Sequence, residues 1–285
     1  MRYAFIEEHR GQFPIRRMCR VLEVDPSGYY AWHQEPESGR CKRDRALIEH
    51  IRRVHQHSRK RAYGSPRITQ DLKAEGIVCS RNRVARLMRA CGIQGKPKRR
   101  FRVLTKGGTG LASRDLVKQQ FQVNKPDKVW ASDITYIRTR RGYLYLCVVL
   151  DLFARKVVGW STGCLMTADL VLRAFRMACR RRKPQPGLIF HSDRGNQFTS
   201  EALRAELDKN GFRSSMARKG NCYDNAVVES FFARLKTEEV DGMIYPDREQ
   251  AALALFEYIE GFYNKIRRHS YINQMSPDDF EQKFT

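Results

Sequence analysis

The stretch "KVWASDITYIRTRRGYLYLCVVLDLFARKVVGWSTG", residues 128–163, contains three apolar runs separated by two short polar connections. Runs of this length, rich in Val, Ile and Tyr and bounded by "RRG" and "ARK", are typical of strands joined by tight turns. The sequence therefore predicts an antiparallel meander of three strands in this part of the chain.

The residues after the meander alternate between helical and strand patterns. Helices are predicted over "TADLVLRAFRMACRRR" and "TSEALRAELDKNG" and from Ala226 and Asp247 onward, and strands over "GLIFHSD" and near "FRSSMAR". Three antiparallel strands followed by such an alternation predict an α/β fold, in which helices flank a mixed five-stranded sheet.

The residues before the meander are strongly basic. Residues 41–120 carry 22 Lys and Arg against 5 Asp and Glu, which is most of the formal charge of +23 on this 285-residue chain. A charge so concentrated indicates a polyanionic partner, and double-stranded DNA is the usual one. A solvated basic face remains the alternative.

Three helical patterns follow one another within residues 41–94, with Pro66 near a helix start and Gly92 at a helix end. The third has an apolar stripe and a basic outer face. This arrangement predicts a small all-α helix-turn-helix segment, and the alternative is a three-helix packing unit without DNA contacts. The DNA contacts predicted on its last helix are Arg81, Arg83 and Arg86.

Four segments are predicted along the chain. Residues 1–40 form an N-terminal helical arm, with two short helices around a turn at Pro26; the helix-turn-helix-like segment at 41–94 follows. Residues 95–120 are basic, glycine-rich and without periodicity, which indicates a flexible linker that tracks DNA. Residues 121–285 form the predicted α/β domain and its C-terminal helices.

The composition argues against several other kinds of site. The 8 cysteines are scattered with no C-x-x-C pair, so neither a disulfide framework nor a zinc knuckle is expected. The best set for zinc is too widely spaced and lies in helical patterns; it comprises His55, His57, Cys79 and Cys91. No secretory start is visible, and the longest apolar run is too short to span a membrane. A reduced, cytoplasmic protein with no membrane span is expected.

Three carboxylates lie where a charge is unusual. Asp133 is in the middle of a strand, Asp193 directly follows a strand, and Glu229 borders the apolar stripe of a helix, seven residues before Lys236. Taken singly, Asp193 has the alternative of a turn cap and Glu229 that of a charged surface edge. Together they can converge at one edge of a mixed sheet, where mutually repelling carboxylates persist around divalent cations. Two Mg²⁺ or Mn²⁺ ions about 3.5 to 4 Å apart suit phosphodiester chemistry.

The blocks "WASDITYI", "HSDRGNQF" and "NAVVESFFARLKTE" resemble the D, D and E blocks of the retroviral-integrase catalytic core, with 35 residues between Asp193 and Glu229. With "GYYAW", "YGSPRI" and the tail "YNKIRRHSYINQMSPDDF", the chain resembles the second-reading-frame (OrfB) transposases of bacterial insertion sequences nearly end to end. The resemblance implies a ribonuclease H-like fold with sheet order 3-2-1-4-5. It also implies DNA strand cleavage by water and strand transfer by a free 3′-hydroxyl, without a covalent enzyme intermediate.

The resemblance also implies roles for particular residues. Asp133 would bridge two metal ions, Asp193 and Glu229 would each complete one, and Lys236 would contact DNA near the cut end. Family members are often made as a frameshifted fusion to an upstream helix-turn-helix and zipper segment, and a homo-oligomer on DNA is expected. Further predicted DNA contacts are Arg218, Lys219, Arg267 and Arg268, the last two forming a phosphate-binding edge with His269.

The sequence thus predicts a metal-dependent DNA transposase with an integrase-type core. The alternatives are a non-catalytic DNA-binding regulator of transposition and a ribonuclease H-like nuclease. The three carboxylates favour an enzyme over a regulator, and the basic helical segment disfavours the nuclease. Structural roles are predicted for Asp151 in a turn and Asp224 as a cap, and strand-end packing with a DNA contact for His191.

Overall fold

The computed structural model divides the chain into two compact units, Met1–Gly95 and Lys96–Thr285. The residues that it describes are 1–35, 37–96, 113–217 and 225–284. Most of the predicted basic linker, the predicted DNA contacts Arg218 and Lys219, and the predicted cap Asp224 lie outside the described residues.

All the regular secondary structure described in the first unit is helical. Its α-helices are α1 (Arg2–Glu8), α2 (Ile15–Val21), α3 (Pro26–Gln34), α4 (Gly39–His57), α5 (Ser65–Ala74) and α6 (Arg81–Ala90).

The turn predicted at Pro26 is wrong, because Pro26 begins α3. The backbone N–H of Ser27 donates to Asp25 Oδ1 at 2.8 Å, which makes Asp25 the N-cap. Proline is favoured in the first helical turn because its missing N–H would have no intrahelical partner there. Pro-Ser-Gly therefore opens a helix here, although the same residues also favour turns.

The three helical patterns predicted within residues 41–94 are confirmed as α4, α5 and α6, and each of these helices contacts the other two. Their facing sides bury Leu47, Ile51, Ile68, Leu72, Val84, Leu87 and Met88. The side chain of Ser80 caps α6 by accepting a hydrogen bond from the N–H of Arg83 at 3.2 Å. Helix α4 begins at Gly39, so the predicted boundary between residues 40 and 41 falls inside its first turn.

The second unit is built on a five-stranded sheet in the order β3-β2-β1-β4-β5. The strands β1, β2 and β3 form the predicted antiparallel meander, β4 pairs parallel to β1, and β5 pairs parallel to β4. The bounds are β1 (Val129–Thr139), β2 (Gly142–Asp151), β3 (Lys156–Gly163), β4 (Ile189–Ser192) and β5 (Arg213–Met216). The mixed sheet and the order implied by the resemblance are confirmed.

Helices cover both faces of this sheet. On one face, β2 residues such as Leu146 and Val148 pack with α9 (Ala226–Leu235) and α10 (Arg248–Phe256). On the other face, Cys147 and Val149 pack with α7 (Ala168–Arg182) and α8 (Glu201–Lys209). Successive residues of β2 supply both cores because the side chains of a strand alternate between faces.

Helix α7 approaches β3 closely at Gly159. A Cβ atom on Gly159 would lie 2.3 Å from the carbonyl oxygen of Ala174 and 2.7 Å from the backbone nitrogen of Ala178. Both of these atoms belong to the backbone of α7 and cannot move aside as a side chain can. Glycine in a strand interior therefore marks a point of close backbone approach.

The predicted flexible linker is wrong for residues 113–120. The N–H of Leu116 donates to Ser215 Oγ on β5 at 2.9 Å, and Val117 is buried. These residues lack a local periodicity because their partner lies about a hundred positions further along the chain.

Two π-helical segments extend the helices of the second unit. Lys236–Val240 continues α9, Glu257–Tyr263 continues α10, and α11 (Pro277–Phe284) closes the described chain. Within the described ranges, no helix combines the length and the apolar composition needed to cross a membrane.

Candidate active site

Asp133 and Asp193 lie on neighbouring strands at the same level of the sheet. The last parallel pair between β1 and β4 joins Ala131 to His191, and each aspartate is two residues beyond that pair. Parallel strands advance together with alternating side chains, so the two aspartates emerge side by side and on the same face.

That face is the one that α9 covers. Asp133 lies on the same face of β1 as Ala131 and Ile137, and both of these residues pack in the core that contains the apolar stripe of α9. Glu229 borders this stripe and is partly exposed, as is Asp133. Alternation on β1 and helical phase on α9 therefore turn Asp133 and Glu229 toward the same region.

Asn225, which precedes α9, provides a further link between α9 and β1. Its Nδ2 donates to the carbonyl oxygen of Ser132 at 3.4 Å, beside Asp133. Asn225 is buried, and its Oδ1 has no hydrogen-bond partner among the described residues. The sequence reasoning missed this residue, whose only sequence signal is its position at the start of the helix that carries Glu229.

The three carboxylates influence one another electrostatically. Burial raises the pKa of Asp133 well above its ordinary value, and the charges of Asp193 and Glu229 raise it further. The N–H of Ile134, which donates to Asp133 Oδ1 at 2.7 Å, and the charge of Lys236 act in the opposite direction. Burial also raises the pKa of Asp193 and of Glu229. Negative charge at this site is thus costly in the chain alone.

Asp193 also acts as a turn cap. Its Oδ1 accepts a hydrogen bond from the N–H of Gly195 at 2.9 Å, and this bond lowers the pKa of Asp193 against the effect of burial. An ionised carboxylate offers about four lone-pair sites, so one backbone hydrogen bond leaves capacity for a cation. The turn cap and the metal ligand, which the sequence presented as alternatives for Asp193, are therefore compatible.

The donor set suits a hard divalent cation. In the part of the chain that the structure describes, no three Asp, Glu, His or Cys side chains converge closely enough to form a ready-made metal site. Repulsion among three carboxylates opposes convergence in the chain alone. Oxygen donors of this kind suit Mg²⁺ or Mn²⁺, whose charge offsets that repulsion.

Lys236 lies at the same site. Its Nζ is 5.2 Å from the centroid of the Tyr136 ring, within the range of a cation–π contact. Burial lowers the pKa of Lys236, and the charge of Asp133 opposes that shift. The sequence reasoning treated Tyr136 only as a strand residue, and the odd spacing from Asp133 gives no strand pattern that would signal its contact with Lys236.

Two of the three arginines predicted to contact DNA on α6 are paired with an acid on α4. Arg83 Nε donates to Asp44 Oδ1 at 2.8 Å and Arg86 Nη2 donates to Asp44 Oδ2 at 2.7 Å, whereas Arg81 is exposed. These pairs join residues about forty positions apart, so the basic face of the helical pattern could not reveal them. An open cleft of about 430 Å³ is lined by Arg40, Arg43, Asn82, Arg83 and Arg86.

The phosphate contact predicted at Arg267 is wrong. Arg267 is 2 % exposed and forms two hydrogen bonds to Glu238, with Nε to Oε2 and Nη2 to Oε1 both at 2.7 Å. Arg268 is hydrogen-bonded within the chain, since its Nη1 donates to the carbonyl oxygen of Gln274 at 3.2 Å. A basic tripeptide ending in His269 favours a surface site in sequence, but the partner of Arg267 lies 29 residues earlier.

His191 and Asp151 are structural residues. His191 is fully buried, and its Nδ1 lies 2.9 Å from Ser215 Oγ, so the predicted strand packing is correct and the predicted DNA contact is wrong. Asp151 accepts backbone hydrogen bonds from Asp127 and Phe153, each at 3.1 Å. Asp151 ends β2 rather than lying within a turn.

The sheet order, the adjacent aspartates and the glutamate-bearing helix define an integrase-type catalytic core. Two family models, each described as an integrase core domain, match residues 123–222 and residues 229–284, and the model of an HTH-like domain matches residues 42–101. The transposase InsF for insertion sequence IS3A of Escherichia coli (strain K12) is 42% identical over 294 residues, covering 99% of each chain. This chain therefore belongs to the IS3 family of transposases.

Two further similarities extend the comparison. A 31 kDa protein of insertion element IS600 from Shigella sonnei is 39% identical over 268 residues, covering 94% of this chain and 98% of its own. Among solved structures, the intasome of simian T-cell lymphotropic virus in complex with PP2A regulatory subunit B56 gamma matches with a TM-score of 0.47 and 15% identity. That match covers 77% of this chain and 70% of the other.

Proposed function

We propose that this transposase catalyses divalent-metal-dependent cleavage of DNA strands and transfer of the resulting 3′ ends during transposition of an insertion sequence. The observation that carries the proposal is the position of Asp133 and Asp193 on adjacent parallel strands, on the face covered by the helix that holds Glu229. Family membership gives the type of reaction, and this geometry supports the choice of residues.

Asp133, Asp193 and Glu229 are the side chains that would hold two Mg²⁺ or Mn²⁺ ions. When bound, such ions activate a water or a 3′-hydroxyl and stabilise the leaving oxygen of a phosphodiester. The protein holds Asp133 and Asp193 at one level of the sheet through β1 and β4, and it holds Glu229 above them through the apolar stripe of α9. The charges of Asp193 and Glu229 raise the pKa of Asp133, and a bound cation would offset this repulsion and hold the carboxylates in their ionised form.

Lys236 would position the DNA end in this proposal. Its ammonium lies over the Tyr136 ring and interacts with the charge of Asp133, so it faces the carboxylates from the end of α9. A phosphate oxygen of the DNA end would accept a charge-assisted hydrogen bond from this ammonium. Such a contact aligns the 3′ end with the carboxylates without itself supplying a metal ligand.

The first unit would bind duplex DNA through its basic residues. Arg81 is exposed on α6, and the cleft beside it is lined by four arginines. Phosphate contacts of this kind fix the protein on DNA without reading its sequence. A homo-oligomer on DNA, a frameshift fusion with the upstream-frame protein and action at the nucleoid in the cytoplasm belong to the same proposal and rest on the resemblance alone.

The second candidate function is a DNA-binding regulator without catalytic activity. The basic cleft of the first unit supports it, because DNA binding alone requires nothing more. Three carboxylates beside a DNA surface would repel phosphates, and a pure binding protein gains nothing from them. The arrangement of Asp133, Asp193 and Glu229 therefore favours the enzyme.

A strand-transfer assay separates the two functions. With a pre-cleaved duplex carrying the element end and a plasmid target, we expect joined products with Mg²⁺ or Mn²⁺ and none with EDTA. Binding of the same duplex, followed by fluorescence anisotropy, is expected to persist in EDTA, because phosphate contacts by arginine require no metal. Binding without joined products at any divalent-metal concentration would support the regulator instead.

Asp44 limits the positive charge that the first unit presents to DNA. In Asp44→Asn, Arg83 and Arg86 lose their ionised partner, so we expect non-specific duplex affinity at low salt to rise severalfold. The slope of log affinity against log salt concentration is expected to become more negative by about one to two, since each new phosphate contact contributes about −0.9 to it. Anisotropy titrations between low and moderate salt measure both quantities.

The matched control is Glu49→Gln, which makes the same change of charge on α4 but releases only the exposed Arg52. Its salt dependence is expected to stay close to that of the wild type. Equal effects of the two substitutions would indicate that net charge, rather than the Asp44 pairs, controls binding.

A further inference from the structure

A buried charged network joins α9 to the C-terminal part of the second unit. Glu238 and Arg267 are 4 % and 2 % exposed, and two hydrogen bonds of 2.7 Å link the carboxylate to the guanidinium. Tyr258 donates a third hydrogen bond, from its hydroxyl to Glu238 Oε2, at 2.8 Å. The carboxylate is therefore held from two sides.

Stability alone does not account for this network. Removing two charges from water carries a desolvation cost that the attraction between them largely offsets, and apolar residues of similar volume often serve stability equally well. A bidentate arginine–carboxylate pair, in contrast, constrains both distance and orientation. The pair therefore constrains the position and the orientation of the helical segment that carries Glu238.

That helix also carries the residues of the candidate active site. Glu238 lies in the π-helical segment that continues α9, two residues after Lys236 and nine after Glu229. The wide turn is closed by the N–H of Asp241, which donates to the carbonyl oxygen of Lys236 at 2.6 Å. A rotation of α9 about its axis would therefore move Glu238, Lys236 and Glu229 together.

The opposite side of the network is fixed to the rest of the core. Tyr258 and Tyr263 lie in the second π-helical segment, and the Tyr263 hydroxyl donates to the carbonyl oxygen of Arg155 at 3.0 Å. The Tyr263 ring packs edge-to-face on Phe231 of α9, with ring centroids 4.7 Å apart. The C-terminal part thus makes two contacts here, one with Phe231 in α9 and one with Glu238 in the π-helical segment that continues α9.

We propose that Arg267 is a positioning residue, whose bidentate pair with Glu238 fixes the rotation of α9 and thereby holds Glu229 and Lys236 toward Asp133. The inference rests on the proposed function for its catalytic consequence. It gives a role to the arginine that the sequence had suggested as a DNA contact, and it explains a buried charge pair at a helix that must present a carboxylate accurately.

The test uses the full-length chain and the double variant Glu238→Leu with Arg267→Met, which removes the pair without leaving a buried unpaired charge. We expect cooperative urea unfolding, with a midpoint lowered only by the loss of the acceptor of the Tyr258 hydroxyl, and unchanged duplex affinity. The Mn²⁺ concentration for half-saturation, measured by titration calorimetry, is expected to rise about tenfold or more, and strand transfer to fall by a similar factor. Amide hydrogen exchange in α9 is expected to accelerate.

Arg267→Lys provides a second variant, which keeps the charge and loses the bidentate geometry. We expect it to fold and to give values of Mn²⁺ affinity and strand transfer between those of the wild type and the double variant. The control is Glu281→Gln, which breaks ion pairs of α11 with Lys156 and Arg182 and leaves α9 untouched. Its unfolding free energy is expected to fall while its Mn²⁺ affinity stays that of the wild type.

Wild-type Mn²⁺ affinity and wild-type exchange of α9 in both Arg267 variants would overturn the inference, as would a loss of Mn²⁺ affinity in Glu281→Gln equal to theirs. These two readouts need no catalytic turnover. If the wild type itself joined no DNA under any condition, the proposed function would fail, while Mn²⁺ binding and exchange in α9 would still decide whether Arg267 positions the helix.

Discussion

Asp133→Asn is expected to lower strand transfer by a factor on the order of a thousand or more while duplex binding stays near that of the wild type. The amide keeps the shape of the side chain but removes the charge that would hold cations between Asp193 and Glu229. Asp193→Asn and Glu229→Gln are expected to have effects of the same order, because the three groups act as a unit. Single-turnover assays with pre-cleaved ends measure the loss.

The same substitution is expected to stabilise the metal-free protein. Asp133 is half-buried, and its neighbours Asp193 and Glu229 repel its charge, so the neutral amide relieves a cost that the folded chain otherwise bears. A higher urea midpoint together with abolished strand transfer would be typical of a site arranged for function rather than for stability. Urea unfolding in EDTA measures this effect.

Asp151→Asn is the matched control for the carboxylates. Asp151 is also a buried aspartate on the sheet, and burial raises its pKa to about 7, but its oxygens accept backbone hydrogen bonds at the end of β2. We expect this variant to retain strand transfer. Substantial activity in any one of the three substituted carboxylates, or its loss in Asp151→Asn, would contradict the assignment of the site.

Lys236→Ala is expected to lower strand transfer by about 10- to 100-fold and to weaken binding of authentic element ends, while Mn²⁺ binding is retained. The reason is the position of the ammonium, which lies over Tyr136 and faces Asp133 without being able to act as a metal ligand. Lys236→Arg keeps the charge and is expected to retain part of both activities. The measurements are strand transfer and binding on authentic and scrambled ends.

Lys209→Ala, at the exposed end of α8, removes the same charge from the helical layer on the opposite face of the sheet and serves as the control. It is expected to behave like the wild type on both kinds of end. If Lys236→Ala lost its Mn²⁺ affinity, or did not distinguish authentic from scrambled ends, the role given to this lysine would be wrong.

The sequence was most informative where the signal is local or periodic. The alternation of apolar residues in residues 128–163 predicted the meander, and the stripe of α9 predicted the face that packs on β1. Both follow from the fixed periods of strand and helix, which depend on backbone geometry alone. The three acidic blocks identified the family because their spacing is characteristic.

Local sequence patterns gave wrong predictions where the same residues favour two different structures, or where a distant contact fixes the conformation. Pro26 and the residues after it favour a turn as well as the first turn of a helix, and the cap from Asp25 decided for the helix. The stretch at Leu116 lacks a pattern of its own, and its contact with Ser215 orders it. The first of these hydrogen bonds involves Asp25, which lies just before the Pro-Ser-Gly motif, and the second involves Ser215, about a hundred positions away.

By itself, the sequence determined which apolar runs form strands, which faces of the helices are buried, and that the chain is an IS3-family transposase. Only the tertiary structure decided which charges are available to a ligand. Arg267 resembles a phosphate contact in the sequence, but it is buried against Glu238, and the charges of Arg83 and Arg86 are shared with Asp44. The physical reason is that charge is visible in a sequence, whereas burial and pairing are relations between residues that only the folded chain brings together.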